Sequence, residues 1–70
     1  MNRQEYAAKV ERMSDCALEE EVTVVSQKLQ IFQRAVKGSA DHPVYQQYAQ
    51  KVVELYQDRA SIIQTELSER

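Results

Sequence analysis

The chain has 70 residues, of which 43% are hydrophobic and 29% are charged, and its formal net charge at pH 7 is −2. A chain of this length forms one small domain and buries only about 60% of its unfolded surface, which disfavours a deep catalytic cavity. Its composition is too apolar for a disordered tail and too charged for a membrane-spanning protein, and the acidic net charge argues against a dedicated nucleic-acid binder.

Three features of the sequence predict the compartment in which the protein is found. Residues 1–6 lack the apolar core of a signal peptide. The most apolar local stretch, residues 22–25, is far shorter than the roughly 20 residues that a membrane span requires. Cys16 is the only cysteine and cannot form an internal disulfide, which fits a reducing compartment. We therefore expect a cytoplasmic protein without membrane insertion.

The first predicted element is a short N-terminal helix, or a kinked extension, at about residues 3–13. Its apolar residues recur at spacings of 4, 3 and 4, which is a helical period. They are Tyr6, Val10, Met13 and Ala17. Leu18 is one residue out of phase with this pattern, and the break coincides with Ser14 and Asp15. A kink or a helix boundary is therefore predicted there.

Helix one is predicted at residues 15–37, with a face typical of a coiled coil. Apolar residues alternate at spacings of 4 and 3 along it. They are Leu18, Val22, Val25, Leu29, Phe32 and Val36, flanked by Val24, Ile31 and Ala35. Ser14 or Asp15 suits the N-cap, and Gly38 is expected to supply a left-handed stop.

A loop at residues 38–42 leads to helix two, which is predicted at residues 43–67. Asp41 or His42 can cap this helix, and Pro43 suits its first turn. Its main apolar face consists of Tyr45, Ala49, Val52, Tyr56, Ala60, Ile63 and Leu67. Because a short connection makes long helices antiparallel neighbours, the predicted fold class is all-α. The expected architecture is an antiparallel helical hairpin with a short additional N-terminal helix or kinked extension.

Helix two carries more apolar surface than one neighbouring helix covers. Tyr48, Val53, Leu55 and Ile62 lie off its main face, and such a surplus marks an interaction site. We predict a partner-binding face formed by Tyr48, Val52, Leu55, Arg59 and Ile62. Tyr48 and Leu55 are its expected anchors, with Arg59 at the rim. The alternative is that the N-terminal helix covers this side and makes a three-helix bundle.

The sequence offers no arrangement of residues for catalysis. Cys16 and His42 fall at opposite ends of an antiparallel hairpin, and one His with one Cys does not make a tetrahedral metal site. No glycine-rich phosphate loop is present. We therefore predict a protein that is not an enzyme, with no catalytic, metal-binding or cofactor-binding residues. Cys16 is expected to be small and half-buried, and the tyrosines lack the basic neighbours that nucleic-acid binding requires.

Local features of the chain resemble a known family, the small co-chaperones of type III secretion needle subunits of the YscE/PscE/EscE type. Lys37-Gly38 closes helix one, Tyr45-Gln46 opens helix two with Tyr48 close behind, and residues 60–63 carry paired isoleucines in an apolar tail. The resemblance covers roughly residues 18–67. It departs from the family pattern at Ser39, at residues 41–43, and at Tyr56 and Arg59.

The resemblance implies a function in a virulence-associated secretion system. Members of the family act with a second chaperone built of tetratricopeptide-like helical repeats, and together they keep the needle subunit soluble and unpolymerised in the cytoplasm. The small member mainly stabilises the repeat protein. A short hairpin with an apolar outer face is suited to cover the open end of a solenoid. The alternative is a self-associating helical adaptor or regulator, such as a homodimeric four-helix bundle.

Overall fold

The structure, a computed structural model, describes residues 2–70 and contains three helices in that range. They are α1 (Arg3–Glu11), α2 (Asp15–Gly38) and α3 (Pro43–Glu69). The long helices α2 and α3 form an antiparallel pair, and α1 packs chiefly on α3. The molecule is elongated, with extents of 43 × 20 × 15 Å. This confirms the all-α hairpin with a short N-terminal helix.

Side-chain caps fix where the first two helices begin. Asn2 and Glu5 form a capping box, in which the Glu5 backbone N–H donates to Asn2 Oδ1 at 2.8 Å. Ser14 caps α2, because its Oγ accepts from the Ala17 backbone N–H at 3.2 Å. The phase break in the sequence is therefore a true helix boundary, with Ser14 rather than Asp15 as the N-cap.

The end of α2 differs from the expectation of a left-handed stop. Gly38 is the last residue of α2, and among the described residues none has a positive φ. Side chains satisfy the last turn instead, since Gln46 Nε2 donates to the Val36 carbonyl at 3.1 Å and Ser39 Oγ donates to it at 3.4 Å. His42 occupies the N-cap position of α3 but makes no capping bond with its side chain, and Pro43 lies in the first turn.

The main apolar faces of α2 and α3 meet each other. A buried cluster lies at the end of the pair that contacts α1, and we call this the α1 end. It consists of Tyr6, Val10, Leu18, Val25 and Ile63. Toward the opposite end, which holds residues 39–42 and which we call the loop end, Ala49 and Val53 are buried and the rings of Phe32 and Tyr56 stack with centroids 6.3 Å apart.

Four side chains differ in burial from their predicted positions. Tyr45 and Leu67 were expected on the main face of helix two, but they lie near its two ends and are 50% and 39% exposed. Val53 was assigned to the surplus surface of helix two, but it is only 4% exposed because it lies one turn after the buried Ala49, on the side that faces α2. Cys16 was expected to be half-buried, but it is exposed. It precedes Leu18 by two residues, and such a spacing turns a side chain to the opposite side of a helix from the core.

None of the described helices combines the length and the hydropathy that a membrane-spanning segment requires.

Candidate protein-interaction surface

The short helix α1 lies beside α3 and runs parallel to it. Near the start of α1, Arg3 pairs with the carboxylate of Asp58. Near its end, Glu11 borders the same shallow cleft as Glu69. Since α2 is antiparallel to α3, the three helices run up, down and up. In this arrangement α1 occupies the place of a third helix against the pair.

Tyr6 anchors α1 between the two long helices. Its side chain is only 2% exposed, and its hydroxyl donates to Glu21 Oε1 on α2 at 2.7 Å. The guanidinium carbon of Arg59 on α3 lies 4.9 Å from the centroid of the Tyr6 ring, a cation–π distance. Burial and the hydrogen bond to the Glu21 carboxylate raise the pKa of Tyr6 well above its ordinary value. Tyr6 therefore contributes an apolar ring, a hydrogen bond and a cation–π contact at one point.

Two members of the predicted partner-binding face lie next to α1. Arg59 is half-buried, and its guanidinium also lies 5.5 Å from the centroid of the Tyr56 ring. Ile62 is half-buried and packs against the buried cluster. The structure thus places Arg59 in an intramolecular stack with tyrosines, and Ile62 beneath α1. The three-helix alternative holds for these two of the five residues.

The other three members of that face are more open: Leu55 borders the start of α1, and Tyr48 and Val52 lie further toward the loop end. Tyr48 is 59% exposed and Leu55 is 44% exposed, with the half-buried Val52 between them. Val44, one turn before Tyr48, is 82% exposed and extends the same side of α3. We call Val44, Tyr48, Val52 and Leu55 the outer stripe. Sequence reasoning missed Val44, although its spacing of four from Tyr48 could have identified it.

At the loop end the outer stripe opens into a shallow groove that is widely open to solvent. The rings of Tyr45 and Tyr48 lie with their centroids 6.4 Å apart at its edge, and Tyr45 is 50% exposed although it was expected on the main face of helix two. The groove is lined by Asp41, His42, Pro43, Val44, Tyr45 and Tyr48. Exposed aromatic rings beside apolar side chains are typical of protein interfaces.

A second exposed apolar surface lies on α2. Val24 is 47% exposed and Ile31 is 57% exposed, and their spacing of seven places them on one side of the helix. Both of these exposed residues are aliphatic, whereas the outer stripe includes Tyr48. It provides a comparison for tests of the outer stripe.

Polar contacts hold the α1 end together. Arg70 Nη1 donates to Asp15 Oδ1 at 2.6 Å, and Arg70 Nη2 donates to the Met13 carbonyl at 2.6 Å. The hydrogen bonds to Asp15 and Glu66 raise the pKa of Arg70 above its ordinary value. These contacts tie the end of α3 to the α1–α2 turn.

The fold keeps the single cysteine and the single histidine of the chain apart. Cys16 lies in the first turn of α2 and His42 precedes α3, so that they occupy opposite ends of the antiparallel pair. Within residues 2–70 no cluster of three or more His, Cys, Asp or Glu side chains is placed to hold a metal ion.

Comparison of the chain with protein-family models, with curated proteins and with solved structures finds no match. The functional argument therefore depends on the residues and their geometry.

Proposed function

We propose that this protein is a small, non-enzymatic co-chaperone that binds a helical-repeat chaperone through the outer stripe. In this role it helps to keep a type III secretion needle subunit soluble and unpolymerised in the cytoplasm. The observation that carries the proposal is the outer stripe itself, in which Val44, Tyr48 and Leu55 are 44–82% exposed along one side of α3. Contiguous exposed apolar patches on small soluble domains mark interaction sites.

The choice of a repeat chaperone as the partner has a physical basis. The terminal repeat of a helical solenoid leaves an apolar face without a neighbour, and it needs a cap. An antiparallel helix pair with an uncovered apolar stripe has the shape of one further repeat. The resemblance of Lys37-Gly38, Tyr45-Gln46 and the paired isoleucines to the needle co-chaperones supports the same partner class.

The test is co-expression with a candidate tetratricopeptide-type chaperone, followed by affinity purification through a tag on the chaperone. Leu55→Asp is expected to abolish co-purification, because a truncated or charged anchor costs about 2 kcal/mol or more at a hot spot. Ile31→Asp is the matched control, because Ile31 has a similar exposure and lies on a different helix. Far-ultraviolet circular dichroism of both variants checks that the helices are kept.

The opposite result would contradict the proposal. If Ile31→Asp loses the partner and Leu55→Asp keeps it, the interface lies on α2 around Val24 and Ile31. If Leu55→Asp removes the helical signal of the isolated chain, Leu55 belongs to the core and the outer stripe is not a free surface. Addition of the needle subunit to the purified complex then tests the chaperone role, since the complex should delay its polymerisation.

A homodimeric four-helix bundle is the second candidate, and it is favoured by the 82% exposure of Val44 in the isolated chain. In that case two outer stripes would cover each other. Light scattering over a range of concentrations separates the candidates. A stable dimer that Leu55→Asp converts to a monomer would support self-association. A chain that stays monomeric at all concentrations would indicate that the outer stripe binds a different protein.

A further inference from the structure

Side-chain contacts hold the bend between α1 and α2. Arg70 Nη2 donates to the Met13 carbonyl at 2.6 Å and to the Val10 carbonyl at 3.4 Å. Ser14 Oγ accepts from the Ala17 backbone N–H at 3.2 Å. In a continuous helix each backbone N–H donates to the carbonyl four residues earlier. The Val10 carbonyl would then accept from Ser14. The Met13 carbonyl would accept from Ala17. The same backbone groups can therefore be satisfied in a bent form and in a straight form.

Few backbone rotations separate the two forms. Arg12 follows α1 with φ −88° and ψ −7°, which is still right-handed helical backbone. At Ser14 the φ of −66° also suits a helix, and only the ψ of 163° does not. Residues 3–37 contain neither glycine nor proline, so no strong helix breaker interrupts this stretch. A straight α1–α2 helix is therefore compatible with the sequence.

A straight α1 would have no place in its own molecule. The first turn of α2 lies beside the end of α3, because Arg70 contacts Asp15. A straight α1 would continue past this level, away from the part of α3 that it contacts in the bent form. At 3.6 residues per turn, Val10 and Tyr6 would also point about 80° and about 120° away from Leu18 around the helix axis. Their side chains, and the surface that they leave on α3, would both be open to water.

We propose that α1 is exchanged between two copies of this chain, through a straight α1–α2 helix in each copy. The surface of α3 that α1 covers is then an interface, and its occupant is the same 9-residue helix from the second copy. The contacts of the bent chain recur between the copies: Tyr6 with Glu21, and Arg3 with Asp58. Because each copy gives and receives α1, a two-fold axis relates them.

The direction of α1 suits this exchange. Helix α1 runs parallel to α3, with Arg3 paired to Asp58 and with Glu11 beside Glu69. Its N-terminus therefore points toward the loop end. A straight helix that leaves one molecule at the α1 end would enter the α1 end of the second copy with its N-terminus leading, which is the same direction. The two copies would thus meet end to end, with their loop ends far apart.

The exchanged dimer competes with the bent monomer. Both forms make the same contacts between α1 and α3, so they differ in the bend and in the entropy of association. A short linker holds its segment at an effective concentration in the millimolar range. Exchange is therefore favoured when the chain approaches that concentration or when the bend is weakened. It goes beyond the proposed function and does not depend on it, since Val44 and Tyr48 of the outer stripe stay free.

Two substitutions at the bend test the proposal. Ser14→Ala removes the cap that only the bent form uses, and Arg70→Gln weakens the contacts with the carbonyls before the bend. Light scattering of the full chain at up to about 1 mM should show a larger dimer fraction for both variants than for the unsubstituted chain. Ser26→Ala makes the same change at an exposed serine inside α2 and should leave the dimer fraction unchanged. Tyr48→Asp, added to Ser14→Ala, should also leave it unchanged, because it disturbs only the outer stripe.

A pair of charge reversals tests the exchange itself. Arg3→Glu sets two carboxylates against each other where α1 meets α3, and Asp58→Arg sets two cations against each other there. Each variant alone keeps like charges in contact, both in its bent monomer and in its own exchanged dimer. In a mixture, exchange between one chain of each kind pairs opposite charges at both contacts. Sedimentation equilibrium should give the mixed dimer a dissociation constant at least about fivefold lower than that of either variant alone.

Three results would overturn the inference. They are a Ser14→Ala chain that stays monomeric up to about 1 mM, a mixture that dissociates like the separate charge variants, and a dimer that Tyr48→Asp abolishes. If a charge variant loses its helical signal, small-angle X-ray scattering of the Ser14→Ala dimer replaces the mixture. The end-to-end dimer should have a maximum dimension close to twice the 43 Å of one molecule. A maximum dimension close to that of one molecule would indicate side-by-side packing and would refute the exchange.

Discussion

Tyr6→Phe removes only the hydroxyl that joins α1 to α2, and it therefore tests how α1 is held. The hydroxyl of a residue that is 2% exposed donates to the Glu21 carboxylate at 2.7 Å. Hydrogen bonds to charged groups contribute about 1.5–3 kcal/mol. Because Glu21 is only half-buried and keeps part of its hydration, we expect the free energy of unfolding at pH 7 to fall by about 1–2 kcal/mol. Urea denaturation followed by circular dichroism measures this change.

The dependence of that difference on pH gives a sharper test. In the folded state the pKa of Tyr6 is raised above its ordinary value of 10.0, so the folded state keeps a proton that the unfolded state loses. The contribution of Tyr6 to stability is complete below pH 10 and is lost as the pH rises toward the folded pKa, by up to about 1.4 kcal/mol per pH unit. The Tyr6→Phe variant does not lose stability in this way. Titration of the other tyrosines and of the lysines affects both proteins equally and cancels in the difference between them. The two stabilities should converge between about pH 10 and pH 11. A difference that stays constant from pH 7 to pH 11 would refute the buried, hydrogen-bonded position of Tyr6.

Four further substitutions have defined outcomes. Gly38→Ala should raise the free energy of unfolding by about 0.5–1 kcal/mol, because Gly38 is helical and an added Cβ meets no atom within 4 Å; a lower melting temperature would mean that the residue needs the left-handed region. Leu29→Ala should cost about 2 kcal/mol, the low end for a large-to-small change, since Leu29 is half-buried; an unchanged thermal melt would contradict its place on the face toward α3. Cys16→Ser and His42→Ala should each leave binding of the repeat chaperone unchanged within about threefold, and a tenfold loss, about 1.4 kcal/mol, in a folded variant would assign that residue a role.

The long helices could be predicted from the sequence because their signals are local and repeated. The alternating spacing of Leu18, Val25 and their neighbours holds over the whole length of α2, and Ser14 marks its start. Because the connection between α2 and α3 is short, the two helices must lie side by side and antiparallel. Burial of Leu18, Val25, Ala49 and Ile63 follows directly from these two facts.

The position of α1 could not be predicted in the same way, because its attachment depends on contacts between residues far apart in the chain. Only Tyr6 and Val10 on α1 are buried, a pattern too short to indicate a packing direction. The contacts that orient α1 are a tyrosine hydroxyl on Glu21, a ring beneath Arg59 and an ion pair between Arg3 and Asp58. None of them has a signature in the spacing of apolar residues. For this reason Arg59 was predicted at the rim of the partner-binding face, although it lies beside α1, as does Ile62.

The shortness of α1, which has 9 residues against the 27 of α3, also explains why a partner would matter for the fold. The buried cluster lies at the α1 end, where three helices meet. The loop end has only two helices, and its core is limited to Ala49, Val53 and the stack of Phe32 on Tyr56. A partner bound on the outer stripe would add a third layer where the core is thinnest. A ligand present at 100 times its Kd stabilises the folded state by about 2.7 kcal/mol, against about 4–10 kcal/mol in total for a domain of this size. Binding would therefore raise the free energy of unfolding of the whole chain substantially. This is expected of a small protein whose folded state depends on its partner.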